Sequence, residues 1–181
     1  MLLFLLRLLA RWWCRWWGAE VAPTALIHGF PRIKIAPGGR IILDDHCTIN
    51  AACWANPLND GRRTVLHAGP GATIHLRPRS GISSSRLIAF SGITLGEDSL
   101  VGAGSLLCDS DMHALPLPNT SPPRSSPIEI GQHAFIGAHC ILLKGVHIGH
   151  HAVIGAGTTV TQNIPNHATA TGQGIRVRGE G

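Results

Sequence analysis

Apolar residues recur at a strict interval of six between Ile130 and Val160: Ile130, Ile136, Leu142, Ile148, Ile154 and Val160. Glycine directly follows four of these anchors (Gly131, Gly137, Gly149, Gly155). A small or β-branched residue stands four places after each of five: Ala134, Cys140, Val146, Ala152 and Thr158. This period fits neither an amphipathic helix nor an alternating strand. It fits a triangular coil in which six residues make one side and three sides make one turn. Each anchor then points inward and stacks on the anchor one turn further along. The chain is therefore expected to wind as a parallel β-helix.

The pattern is also clean upstream, with anchors Leu95, Val101 and Leu107, glycines Gly96 and Gly102, and Ser99 and Ser105 in the small slots. Then it breaks. Leu107 and Ile130 are twenty-three apart, which is not a multiple of six, and residues 108–127 between them read CDSDMHALPLPNTSPPRSSP. So much Pro and Ser predicts a loop thrown out of the coil. Long loops in compact domains are usually functional or disordered. Here the content favours function, because Asp109, Asp111 and His113 lie close together. Residues 24–80 carry a weaker repeat: Leu43 and Ile49 flank Cys47, with turns at 38–40 and 59–63 and a strand-and-turn unit over 65–74.

Residues 1–17 read MLLFLLRLLARWWCRWW. Arg7, Arg11 and Arg15 line one face of a helix, and Leu, Phe and the tryptophans Trp12, Trp13, Trp16 and Trp17 fill the rest. The segment is too short and too interrupted to span a bilayer easily. No positive region precedes it and arginines break its apolar run, so it makes a poor signal peptide. Two readings stand. An amphipathic helix can lie in a membrane interface, with Trp at headgroup depth and Arg near anionic lipid. Alternatively, the helix closes the open end of the coil or packs in an oligomer. The expected organisation is a helix over 1–18, a β-helix domain over 19–166 with the loop at 108–127, and a tail over 167–181 after Pro165 ends the regular coil.

Glycine, 22 of 181 residues, supplies many tight turns. The formal charge of +5 is mild and suits an anionic partner such as a phosphorylated cosubstrate or a lipid surface. Outside the N-terminus no basic stripe is interleaved with aromatics, so nucleic acid is not expected. Five cysteines without a C-x-x-C pair argue against a disulfide framework and for a reducing compartment. Cys140 falls in an inward slot and is expected to pack as a small hydrophobe.

The segment IGAHCILLKGVHIGHHAVIGAGTTVTQNIP (136–165) resembles the C-terminal coils of hexapeptide-repeat acyltransferases. Within them it is similar to the maltose and galactoside O-acetyltransferases, and more so to the acetyltransferases of bacterial polysaccharide biosynthesis. The motifs follow that family's order: LGEDSLVGAG (95–104), DSDMH (109–113), IEIG (128–131), GVHIG (145–149) and VIGAG (153–157). The likeness covers about residues 65–178. It implies a left-handed parallel β-helix, an exception to the right-handed crossover rule. It also implies a homotrimer with active sites between neighbouring subunits, acetyl-CoA as donor and a sugar or glycan-lipid hydroxyl as acceptor. The implied location is the cytoplasm or the cytoplasmic face of the inner membrane.

The same resemblance makes His113 the catalytic base. Histidine suits the task because its ordinary pKa lies near neutrality. Asp109 and Asp111 would orient the imidazole, stabilise its charged form or shape the loop. Ser84, in GISSS (81–85), stands at a substrate-contacting position where the family often has Asn. The implied CoA contacts are Ala138, Ala156, Thr161, Gln162 and Arg176. Gln162 departs from a common Lys, and the tail GQGIR (172–176) keeps a cation but lacks the family's Pro. An amine acceptor, as in amino-sugar N-acyltransferases, and an inactive β-helix binding protein stay open. His133 and His151 are one turn apart and should stack. That raises the intersubunit zinc of γ-class carbonic anhydrases, but that family's R-x-D and N-x-Q-D type segments are not evident, so no metal is expected. Cys108 follows anchor Leu107 and is expected to pack at the loop base rather than act as a nucleophile.

Overall fold

A computed structural model describes residues 2–59, 61–114, 118, 120–172 and 176–178, with Leu2 and the last three by backbone alone. The strands fall into three sheets that the chain visits in rotation. The first sheet holds Glu20–Val21, Arg40–Leu43, Thr73–Leu76, Gly92–Leu95, Ile128–Ile130 and His147–Ile148. The second holds Leu26–His28, Thr48–Asn50, Gly81–Ser83, Leu100–Val101, Phe135–Ile136, Val153–Ile154 and Thr169–Thr171, on which Arg176–Arg178 turns back antiparallel. The third holds Arg32–Ile35, Val65–Ala68, Arg86–Ala89, Leu106–Cys108, Ile141–Leu143 and Thr159–Val160. The architecture is a left-handed parallel β-helix with one N-terminal helix.

The register is the expected one. Ile130 pairs with Ile148, Ile136 with Ile154 and Leu142 with Val160, each eighteen residues on. All six anchors and all five small slots are buried. A buried hydroxyl needs a partner. Ser99 Oγ donates to the Gly96 carbonyl at 2.7 Å, and Ser105 Oγ donates to the Gly137 carbonyl at 3.1 Å while accepting the Cys140 N–H at 3.1 Å. Glycine after the anchor is a spacing requirement. A Cβ on Gly102 would lie 2.6 Å from the Ala138 nitrogen, and one on Gly137 would lie 2.5 Å from the Ala156 nitrogen. The corners need left-handed backbone, which His133, His139, His151 and His167 supply at φ 55 to 60°. His133, His151 and His167 accordingly stack, with ring centroids 4.8 and 5.0 Å apart.

Two details differ from the expectation. The coil does not stop at Pro165: Ile164 bridges to Ile148, and Thr169–Thr171 stacks on Val153–Ile154. A Pro at a corner removes a donor that the ladder there does not use. The early segment is also more regular than its sequence, since Ile27, Ile41, Leu43, Cys47 and Ile49 are all buried in complete coils.

The helix Leu2–Trp16 lies over the first coil. Ala10 and Cys14 are fully buried, Trp13 packs on the core, and Trp13 Nε1 donates to the Pro31 carbonyl at 3.0 Å. The helix therefore caps the open end. Its opposite face leaves Leu5, Leu8, Leu9, Trp12 and Trp16 exposed by 39 to 70%. Arg11 and Arg15 turn back to the main chain, donating to the carbonyls of Pro23 and Val21. No helix among the described residues is long and apolar enough to cross a membrane. All five cysteines are free.

Candidate active site

The loop leaves the third sheet after Cys108, and its base is tied down on both sides. Asp109 is fully buried. Its Oδ1 accepts the Phe90 N–H at 2.7 Å, and its Oδ2 accepts those of Ser91 at 2.8 Å and Gly92 at 2.6 Å. Three backbone donors on one carboxylate lock the preceding coil's corner to the first residue of the loop. Outgoing and returning limbs then pair antiparallel: Ser110 bridges Ser125, the Asp111 N–H donates to the Arg124 carbonyl at 3.0 Å, and the Ser126 N–H donates to the Asp109 carbonyl at 2.9 Å. Asp111 also forms an ion pair with Lys144 of the next coil. Cys108 is half-buried, with Sγ 3.3 Å from the Ser110 carbonyl, so it packs at the loop base as expected.

Met112 adopts left-handed backbone at φ 62°, its N–H donating to Ser110 Oγ at 3.1 Å. That reversal delivers His113 to the surface, where it is exposed. Its ring has no hydrogen-bond partner among the described residues. Neither aspartate reaches it, since Asp109 is committed to backbone N–H groups and Asp111 to Lys144. Within one chain both carboxylates shape the loop.

The other candidate residues divide between two corners of the triangle. Asp109, Asp111 and His113 follow a strand of the third sheet, as do Thr161 and Gln162 after Thr159–Val160; both of the latter are exposed. Ser84, Ala138 and Ala156 lie where strands of the second sheet turn into the third. There the Gly157 N–H donates to the Ala138 carbonyl at 2.8 Å, stacking the two alanine turns. A cavity of about 360 Å³ opens beside Ala138, walled by Leu100, Gly102, Phe135 and Ser83, with Asn50 Nδ2 donating to Ser83 Oγ at 3.1 Å. Ser84 is buried in left-handed backbone at φ 44°, and its Oγ has no partner in the described structure. The two corners sit at opposite ends of a strand such as Arg86–Ala89, about 13 Å apart for four residues at strand rise. One chain therefore does not bring Ser84, Ala138 and Ala156 to His113. The side chain of Arg176 lies outside the described residues.

Two residues of this region were not singled out from the sequence. Lys144, in LLKG, holds the loop through Asp111, and Asn50 shapes the wall at Ser83. Neither belongs to a repeat slot, so only the folded coil reveals them. Among the described residues no group of three or more His, Cys, Asp or Glu is placed to hold a metal.

Comparison with known proteins follows the same lines. The model of the bacterial transferase hexapeptide (six repeats) matches residues 127–162, and that of the hexapeptide repeat of succinyl-transferase matches residues 79–108. The bifunctional protein GlmU of Fervidobacterium nodosum is 38% identical over 88 residues, covering 49% of this chain and 17% of that protein. A Staphylococcus aureus protein that carries an acetyltransferase name is 44% identical over 54 residues, 30% of this chain and 27% of the relative. The chain thus spans well under two thirds of these curated relatives. Among solved structures, a galactoside acetyltransferase in complex with coenzyme A aligns at 26% identity and TM-score 0.56, covering 74% of this chain and 64% of that one. The polysialic-acid-specific acetyltransferase NeuO shares the fold at TM-score 0.57 and 18% identity over 86% of this chain and 71% of its own. The chain therefore carries, on both sides of the loop, the hexapeptide repeats that the bacterial transferase models describe.

Proposed function

We propose that this chain transfers an acetyl group from acetyl-CoA to a hydroxyl of a sugar or glycan-lipid, with His113 as general base. One observation carries the reading: at a break in the coil, an anchored loop base presents an exposed imidazole. The coenzyme A held by the similar galactoside acetyltransferase supports the donor. An unpaired ring nitrogen of His113 takes the hydroxyl proton as the oxygen attacks the thioester carbonyl. The tetrahedral intermediate collapses, the C–S bond breaks, and the imidazolium returns its proton to the departing thiolate. The oxyanion requires preorganised N–H donors, which glycine-rich turns of a neighbouring copy supply.

Two corners make one site only across a subunit boundary. In a homotrimer, the Ser84–Ala138–Ala156 corner of one copy faces the His113 corner of the next. The stacked alanine turns leave room for the pantetheine arm, Thr161 and Gln162 line its path, and Arg176 meets its phosphates. In the same reading the protein works in the cytoplasm, with the exposed Leu and Trp face of the helix resting on the inner membrane. That contact is tested by Trp12→Ala/Trp16→Ala rather than by deleting the helix, because deletion uncovers Ala10, Cys14 and the core end. Loss of vesicle binding by this variant is expected, and unchanged binding sinks the contact.

The decisive experiment is CoA-thiol release with a panel of sugars and amino sugars, comparing the protein with His113→Ala. General base catalysis contributes about 10²- to 10⁴-fold, so kcat falls by that factor while CoA binding stays. Transfer unchanged by the substitution, or no release with any acceptor, overturns the proposal. Faster transfer to amines than to alcohols overturns the hydroxyl assignment alone.

A further inference from the structure

A second cleft, of about 630 Å³, lies at the opposite end of the coil from Thr161 and Gln162, between the helix and the outer face of the third sheet. Arg32, Lys34, Arg62, Arg63 and Arg86 line it, all exposed, and no Asp or Glu does among the described residues. Among the described residues, the ion pairs elsewhere on the surface belong to Arg40, Arg79, Lys144 and three histidines, and none reaches Arg32, Lys34, Arg63 or Arg86. Arg32, Lys34, Arg63 and Arg86 around one cleft repel one another, and an anion of matching charge relieves that repulsion. Register fixes their spacing. Arg32 and Arg86 both pair with Val65 from either side, so their Cα atoms stand about 10 Å apart at the usual strand separation. Guanidinium arms close over a diphosphate from that distance, and their planar forks match phosphate oxygens. Trp13 and Trp17 form the remaining wall, an apolar surface beside the cations.

We propose that this cleft binds a diphosphate ester, and that the ester belongs to the acyl acceptor. The second part rests on the acyl-transfer reading. Its geometry is direct: Arg86 pairs with Leu106, and Cys108 lies two residues further along that same strand, about 8 Å from Arg86 by strand spacing and rise. The loop that carries His113 starts there. A sugar linked to a diphosphate held by Arg32 and Arg86 therefore extends along the outer face of the third sheet toward the imidazole.

The test measures binding without any donor. Equilibrium dialysis of the full chain with labelled inorganic pyrophosphate should give saturable binding. That binding should weaken at least tenfold in Arg32→Ala/Arg86→Glu and stay unchanged in Arg40→Ala, an exposed arginine outside the cleft. Thermal melts should rise with pyrophosphate and not with chloride at matched ionic strength. No saturable binding, or equal weakening by Arg40→Ala, overturns the site. Competition separates the sources: a prenyl diphosphate that displaces pyrophosphate more tightly than uridine diphosphate assigns a lipid-borne ester, and the reverse order assigns a soluble nucleotide sugar. Turnover then addresses the acceptor. The double variant should lose at least tenfold in kcat/KM for a diphosphate-linked sugar and nothing for the free sugar. Equal effects on both overturn the acceptor assignment, whereas no CoA-thiol release with any acceptor overturns the acyl-transfer reading and leaves the pyrophosphate result standing.

Discussion

Asp109→Asn separates a carboxylate that anchors the loop from one that works on the imidazole. The carboxylate is fully buried, with one oxygen on the Phe90 N–H and the other on those of Ser91 and Gly92, at 2.6 to 2.8 Å. Asparagine keeps the shape but replaces one oxygen with an NH₂ group. Whichever way the amide turns, at least one backbone donor faces another donor. Losing a charged acceptor and leaving a buried donor unpaired costs about 1–3 kcal/mol per group, so about 2–4 kcal/mol in total is expected here. For a chain of this size 1 kcal/mol moves the melting temperature by about 2–4 °C, which puts the expected drop near 5–15 °C. Amide hydrogen exchange should accelerate at residues 90–92 and at Ser126, whose N–H donates to the Asp109 carbonyl at 2.9 Å. Turnover should fall as the loop base loosens. If Asp109→Asn abolished turnover while melting and exchange at 90–92 stayed at their original values, Asp109 would not be the loop's anchor and its carboxylate would act on the imidazole directly.

Other consequences are as direct. Lys144→Ala removes the Asp111 ion pair; being a surface pair worth at most about 1 kcal/mol, it should shift melting by under about 4 °C yet make residues 110–126 more readily cleaved by protease, and unchanged cleavage would count against its role in holding the loop. Gly137→Ala puts a Cβ 2.5 Å from the Ala156 nitrogen, an overpacking cost of about 1–3 kcal/mol that calorimetry should detect together with weaker CoA binding. A thiol reagent at pH 8 should label exposed Cys53 first and leave Cys14 and Cys47 untouched until urea is added, because burial pushes both of those thiols up to about 12; rapid labelling of all five in the native protein would contradict the cap. His28 and His67 are held below the ordinary histidine range, His28 by burial and then Arg7, His67 by burial and then Lys34. The unfolded chain therefore takes up protons that the folded one refuses, so their contribution is complete above about pH 6.5 and is lost as pH falls through the depressed folded values. Melting temperature should drop between pH 7.5 and 5.5, less steeply in His28→Gln/His67→Gln, and equal slopes would refute the assignment.

The scaffold was legible because one rule acts at every turn. An inward anchor, a glycine with no room for a Cβ and a small fourth residue repeat often enough that Ile130 to Val160 alone determines the register. Early coils were harder to read because Ile27, Ile41 and Ile49 reach their slots through corners of differing length, including the excursion at residues 51–64. The helix was ambiguous for a physical reason: Ala10 and Cys14 need only a narrow stripe to seal the coil, and the rest of its apolar surface faces outward. Distribution of the candidate residues between two corners was not legible at all. It depends on which sheet each strand joins, and the loop hides that count.

The loop's length explains why the site is built as it is. Leu95 pairs with Ile130, thirty-five residues on, where an uninterrupted coil would pair residues eighteen apart. The chain thus leaves for seventeen extra residues and returns in register. The six-residue rule does not constrain those residues, and closing a loop of that length carries its own entropy cost. Position has to come from contacts outside the repeat. Asp109 ties the departing limb to the coil before it, Lys144 ties Asp111 to the coil after it, and pairing of Ser110 with Ser125 joins the two limbs. His113 is therefore fixed by three interactions that the six-residue rule neither requires nor forbids. The repeat determines the frame, and substitutions at these ties should alter the loop while leaving the anchors from Ile130 to Val160 packed as they are.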